Sequence, residues 1–202
     1  MFVSSDGVWV TEKYLNRIVD NWFRRAIGQD VQFDDFDRFV SLWIAFNAWG
    51  TYVFSKDKDR EMVEAAKKDQ RLIASFQNLV ETDLSFLNHI KLLKAECPVR
   101  RNRPYRGHDH ASINQTNNFS EALEVIYVVR CNLFHGEKVF EDPRDRALVF
   151  NAFGVLSKLF GEVRSNAGNS PAAQTILTAT QPRHTDTCYS RGVGLNCTQF
   201  VP

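Results

Sequence analysis

Arg130 and His135 stand five residues apart at the end of a strongly apolar run, VVRCNLFHGEKVF over residues 128–140. A guanidinium stays charged at any pH a folded protein meets, whereas an imidazole changes charge near neutrality. With the amide of Asn132 between them and Lys138 just beyond, they form a set suited to handling phosphate. On RNA, such a set supports one reaction in particular. A base removes the proton of a 2′-hydroxyl while a cation stabilises charge on the attacked phosphate, so the step requires no metal, no cofactor and no external nucleophile.

Helical projection sharpens the oddity of this stretch. Leu123, Ile126, Tyr127, Arg130 and Phe134 fall within an arc of about 100°, which puts Arg130 on the stripe that should face a core. Burying a charge without a partner is costly, so Arg130 must find an acid, a cavity or a polar ligand. Asp34, Asp35 and Asp37 are candidate structural ion-pair partners, and Asn47 is a candidate hydrogen-bond partner. His135 projects about 140° around the axis from Arg130, so the two flank a face rather than share one spot. It also occupies the last helical turn, where exposed carbonyls favour a cation without any catalytic role.

A second stretch carries phosphate-binding chemistry. Residues 96–118, ECPVRRNRPYRGHDHASINQTNN, contain Arg100, Arg101, Arg103 and Arg106, with Tyr105, His108 and His110 interleaved. Basic groups beside aromatic rings suit single-stranded RNA, which offers both a charged backbone and stackable bases. The plain alternative is a solvated loop, or arginines paired with acids on neighbouring helices. Two prolines, a glycine and many Asn and His residues predict a long loop here.

The elements that must position these groups read as helices nearly throughout. Trp9, Val10, Tyr14, Ile18, Trp22 and Ile27 recur at helical steps, with Thr11 as a plausible cap. A helix over about 34–55 is apolar on more than half its circumference, as expected of the central staff of a bundle. A polar helical stretch covers about 57–80 and a short one about 84–95. Helix resumes near Ser120 and ends at His135, with Gly136 in the left-handed position that follows a helix. Asp142 and Pro143 open the last helix, which runs to about 164. The predicted architecture is an all-α, up-and-down bundle of four to six helices over residues 1–164. Residues 165–202, rich in Ser, Thr, Asn and Gly, are predicted to form a disordered or weakly structured tail.

Composition sets outer limits. The chain has 202 residues and a formal net charge of +1, so any electrostatic attraction for nucleic acid must be local. No apolar run approaches the roughly 20 residues of a membrane span. No basic segment followed by a long apolar stretch opens the chain. The four cysteines, Cys97, Cys131, Cys188 and Cys197, form no CxxC pair and are expected to be free thiols in a reducing cytoplasm. His184, Cys188 and Cys197 match no zinc spacing.

IYVVRCNLFHGEK, residues 126–138, resembles the Arg-x4-His signature of the HEPN (higher eukaryotes and prokaryotes nucleotide-binding) superfamily. FVSLWIAFNAWG, residues 39–50, looks like the apolar second helix of many bacterial HEPN proteins, and DPRDRALVFNAFGVL fits the helix after the motif. The resemblance spans roughly residues 10–164. It implies a helical bundle that commonly dimerises, and in many members a metal-independent endoribonuclease of toxin–antitoxin or phage-defence systems. Motif Arg and His from two protomers then converge at the dimer interface. Carried over, this makes Arg130 and His135 catalytic, Asn132 a polar auxiliary, and Arg100, Arg101, Arg103, Tyr105, Arg106 and Lys138 RNA contacts. Implied partners are RNA, a second copy of the chain, and an antitoxin or defence protein. The chain departs from the pattern at Cys131, where active members usually carry a polar residue directly after the Arg. Other HEPN domains are non-catalytic modules that bind proteins, nucleotides or RNA.

Overall fold

The computed structural model describes residues 2–3, 9–10, 12–28, 34–136 and 141–168. The chain divides into two compact units, Met1–Ala167 and Gly168–Pro202, and residues 169–202 lie outside the described ones. The tail expectation, with His184, Cys188 and Cys197, therefore falls outside the described residues, as does Lys138.

The first unit is mainly helical. Two strands, β1 (Phe2–Val3) and β2 (Trp9–Val10), pair antiparallel ahead of the helices. Trp9 and Val10 therefore belong to a strand rather than to the first helical period. Seven helices occupy the described residues: α1 (Glu12–Ile27), α2 (Asp35–Phe54), α3 (Asp59–Ala66), α4 (Gln70–Thr82), α5 (Leu84–Ala95), α6 (Phe119–Phe134) and α7 (Pro143–Gly168). The polar stretch read as one helix over 57–80 is two, because Asp69 interrupts it. Its carboxylate accepts from the Arg71 and Leu72 amides and so starts α4 afresh. Asp34, Asp83 and Asn118 cap α2, α5 and α6 in the same way.

α2 is the central staff that its apolar circumference predicts. Phe39, Leu42, Trp43, Ala45 and Phe46 are buried, and Gly50 lets the helix close on Met62, where a Cβ would come within 2.6 Å of the sulfur. Phe46 meets Phe160 of α7 edge-on at 5.5 Å, and Trp43 lies 5.9 Å from Tyr127 of α6. Rings in such tilted and edge-on pairs add about 0.5–1.5 kcal/mol each beyond area burial. α1 contributes Leu15, Val19 and Ala26 to the core, whereas Ile27 is exposed. Asp142 caps α7 through the Arg144 amide at 2.7 Å with Pro143 at the first position, and the helix runs on to Gly168, past the expected end near 164. No described helix is long and apolar enough to cross a membrane.

Residues 96–118 are not one long loop. They hold an antiparallel hairpin, β3 (Val99–Tyr105) and β4 (His108–Ala111), with Val99 opposite Ala111, Arg100 opposite His110 and Tyr105 opposite His108. The two-residue turn is Arg106–Gly107, with φ of +51° and +78°. Two positive φ values match the primed turns whose twist suits a hairpin. Val99, Ala111 and Ile113 anchor it in the core, and β3 packs on α6.

Candidate active site at the end of α6

α6 stops where its sequence says it should. The His135 amide donates to the Cys131 carbonyl and the Gly136 amide to that of Leu133, and Gly136 takes φ +72°. A Cβ at Gly136 would meet nothing within 4 Å, so its requirement for glycine is conformational rather than steric. His135 is thereby left exposed at the C-terminal end of the helix.

Beside it lies a cavity of about 250 Å³ between α6, α3 and the hairpin. Tyr127, Val128, Cys131, Asn132 and His135 supply its α6 wall, Arg60 comes from α3, and Arg101, Pro104 and Tyr105 come from β3. The α6 members recur at steps of three and four, so they form one stripe. Arg130 is not among the lining residues. It turns the other way, with Nη2 2.5 Å from Asp59 and its guanidinium 4.4 Å from the Phe134 ring and 5.5 Å from that of Trp43. The ion pair allowed for Arg130 exists, but with Asp59 rather than Asp34, Asp35 or Asp37.

Next to this wall sits a charged cluster centred on Glu124. Arg60 Nη1 reaches its two oxygens at 2.8 and 3.0 Å, Arg101 Nη1 lies 2.5 Å away, and Lys67 completes the set. Glu64 also accepts from Arg60 at 3.0 Å and from Lys67 at 2.9 Å. Three cations thus face two carboxylates, which leaves the cluster one formal charge positive. Burial alone would push the Glu124 carboxyl up. The hydrogen bonds from Arg60, Lys67 and Arg101 outweigh it and hold the pKa at about 2.

The Arg60 guanidinium also lies 3.4 Å from the centre of the Tyr105 ring and 5.2 Å from that of Tyr127. Burial, followed by the neighbouring Cys131 thiol, pushes the Tyr127 phenol well above its ordinary value, so it stays a neutral hydroxyl. The cavity therefore combines two fixed cations, two phenol rings and one imidazole.

The expected RNA contacts divide into three groups. Arg100 and Arg106 are exposed, and Arg106 lies 5.1 Å from the Tyr105 ring at the hairpin turn. Arg101 is not a solvated phosphate contact: it is largely buried, pairs with Glu124 and donates to the His110 carbonyl at 3.2 Å. Arg103 lies within β3, and its side chain is outside the described residues. Asn132 also differs from its expected role. It is 4% exposed, and its Nδ2 donates at 2.8 Å to the Arg100 carbonyl, tying the hairpin to α6. Its Oδ1 is buried without a partner among the described residues.

Arg60, Glu124, Lys67 and Tyr127 escaped the sequence reading as site residues. One signal was available, since Glu124, Tyr127, Cys131 and His135 recur every three or four residues along α6. Arg60 left no such trace, because only the tertiary fold brings α3 to the hairpin. Among the described residues no group of three or more His, Cys, Asp or Glu is arranged to hold a metal ion. Comparison of the chain with protein-family models, with curated proteins and with solved structures finds no match, so the HEPN likeness stands on the quoted residues alone.

Proposed function

We propose that the protein is a metal-independent endoribonuclease of HEPN type that works as a homodimer. The observation that carries this reading is the placement of His135, exposed at a helix end, in one cavity wall with Arg60, Arg101 and Tyr105. His135 removes the proton of a 2′-hydroxyl, and the 2′-oxygen attacks phosphorus. The bond to the 5′-oxygen breaks, and that oxygen takes a proton from the imidazole of the second copy. A 2′,3′-cyclic phosphate and a 5′-hydroxyl result. Fixed guanidinium groups meet the extra charge of the transition state without having to reorganise.

Arg130 enters through symmetry. Splayed about 140° from His135 on one helix, it cannot share a phosphate with that imidazole, but two copies across a two-fold axis can bring the pair together. Expression of wild type beside His135→Ala tests the reading in cells. The expected outcome is growth arrest with fragmented RNA for wild type and neither for the variant. Intact RNA during wild-type arrest would count against it.

One observation favours a different class of protein. The Arg130–Asp59 pair, flanked by Phe134 and Trp43, is what an anchor in a non-catalytic helical module looks like. In that reading the exposed Phe134 edge meets a partner protein. Arg130→Ala would then lower stability and partner binding, while RNA would remain intact with wild type and variant alike.

A further inference from the structure

Asn132 presents a puzzle that its place in the fold deepens. A buried carbonyl acceptor left unpaired costs about 1–3 kcal/mol, so native proteins rarely keep one without reason. The bond from Nδ2 to the Arg100 carbonyl fixes which end of the amide is oxygen. The orphan is therefore Oδ1, an acceptor with no donor beside it, on a residue that forms part of the cavity wall. The neighbouring wall offers Tyr105 and Tyr127 as faces for a flat ring, while Arg101 and His135 offer charge and hydrogen bonds for an attached phosphate.

We infer that this cavity is a nucleobase subsite in which Asn132 Oδ1 accepts from the exocyclic amino group of adenine or cytosine. The inference rests on the RNA reading of the same site and adds a preference to it. At about 250 Å³ the space lies below the roughly 300–1,000 Å³ of drug-sized ligand pockets, so it suits one base rather than two. Adenine and cytosine carry an amino group where hypoxanthine and uracil carry a carbonyl oxygen. That oxygen would face Oδ1 lone pair to lone pair and leave the Asn132 carbonyl unsatisfied. Sites built to bind a substrate N–H discriminate strongly against analogues that lack it.

Calorimetric titration of the full chain with nucleoside monophosphates tests this without requiring turnover. Cytidine against uridine monophosphate, and adenosine against inosine monophosphate, change that one group and leave the phosphate alone. The amino member of each pair is expected to bind about tenfold tighter or more. Equal affinity within both pairs, or no binding of any of the four, overturns the inference. The variant Asn132→Leu, with its fold checked by circular dichroism, is expected to lose the preference while retaining weak phosphate-driven binding. Should that variant fail to fold, the two wild-type pairs still decide. Cleavage without base preference would remove this inference and leave the nuclease reading; preference without cleavage would do the reverse.

Discussion

Arg130 and Arg60 are both guanidinium groups held among aromatic rings and carboxylates, yet they are built differently. Arg130 meets one acid, Asp59, and two rings, and its Nε is buried without a partner. Arg60 belongs to a five-charge cluster drawn from α3, α6 and β3 and stacks on Tyr105. Arg130 is the cation that the motif announces, whereas Arg60 and Arg101 are the cations that line a cavity with His135. Spacing along one helix finds groups that share an element. A site assembled from three elements is visible only after packing.

The sharpest way to break that contrast is to remove the hub of the cluster. Glu124→Gln leaves three partly buried cations without their common acceptor. Stability should fall by about 3–5 kcal/mol, read by urea or thermal unfolding. A loss under 1 kcal/mol would mean that the cluster is a surface feature after all. Acid should act through the same group. Because the folded pKa of Glu124, about 2, lies below its ordinary 4.5, the stability it provides is complete above pH 4.5 and is lost as pH falls from there toward 2. Glu124→Gln should flatten that part of the pH–stability curve.

Arg130→Ala comes next. Its pair with Asp59 is partly exposed, 20% and 27%, so solvent screening discounts it, and a loss of about 1–3 kcal/mol is expected. A loss as large as that of Glu124→Gln would erase the distinction and favour the anchoring module. Gly136→Ala should cost about 1–2 kcal/mol, because φ +72° is unfavourable for a residue with a Cβ. The smallest effect belongs to His135→Ala, within about 0.5 kcal/mol at its exposed position. Loss of activity in that variant can then be assigned to chemistry rather than to folding.

Much of the frame was legible. Gly136 after an apolar run, Asp142–Pro143 and the all-round apolar α2 each carry a local physical rule, and each element starts or stops where that rule places it. The hairpin was not legible, because β3 reads VRRNRPY, with three arginines and a proline where a strand normally shows β-branched or aromatic residues. Its pairing depends instead on the Arg106–Gly107 turn and on Val99, Ala111 and Ile113 reaching the core. Asn132 and Arg101 were visible as polar groups in the right region. Their roles depended on contacts to Arg100 and Glu124, 32 and 23 residues away in the chain.

The central claim is that His135 performs acid–base chemistry on RNA. Purified wild type and His135→Ala, matched for fold and for dimer content, should be incubated with a mixed-sequence single-stranded RNA in excess EDTA. The account predicts fragments ending in 2′,3′-cyclic phosphate with wild type and none with His135→Ala. Equal cleavage by the two proteins, or intact RNA with wild type, would contradict it.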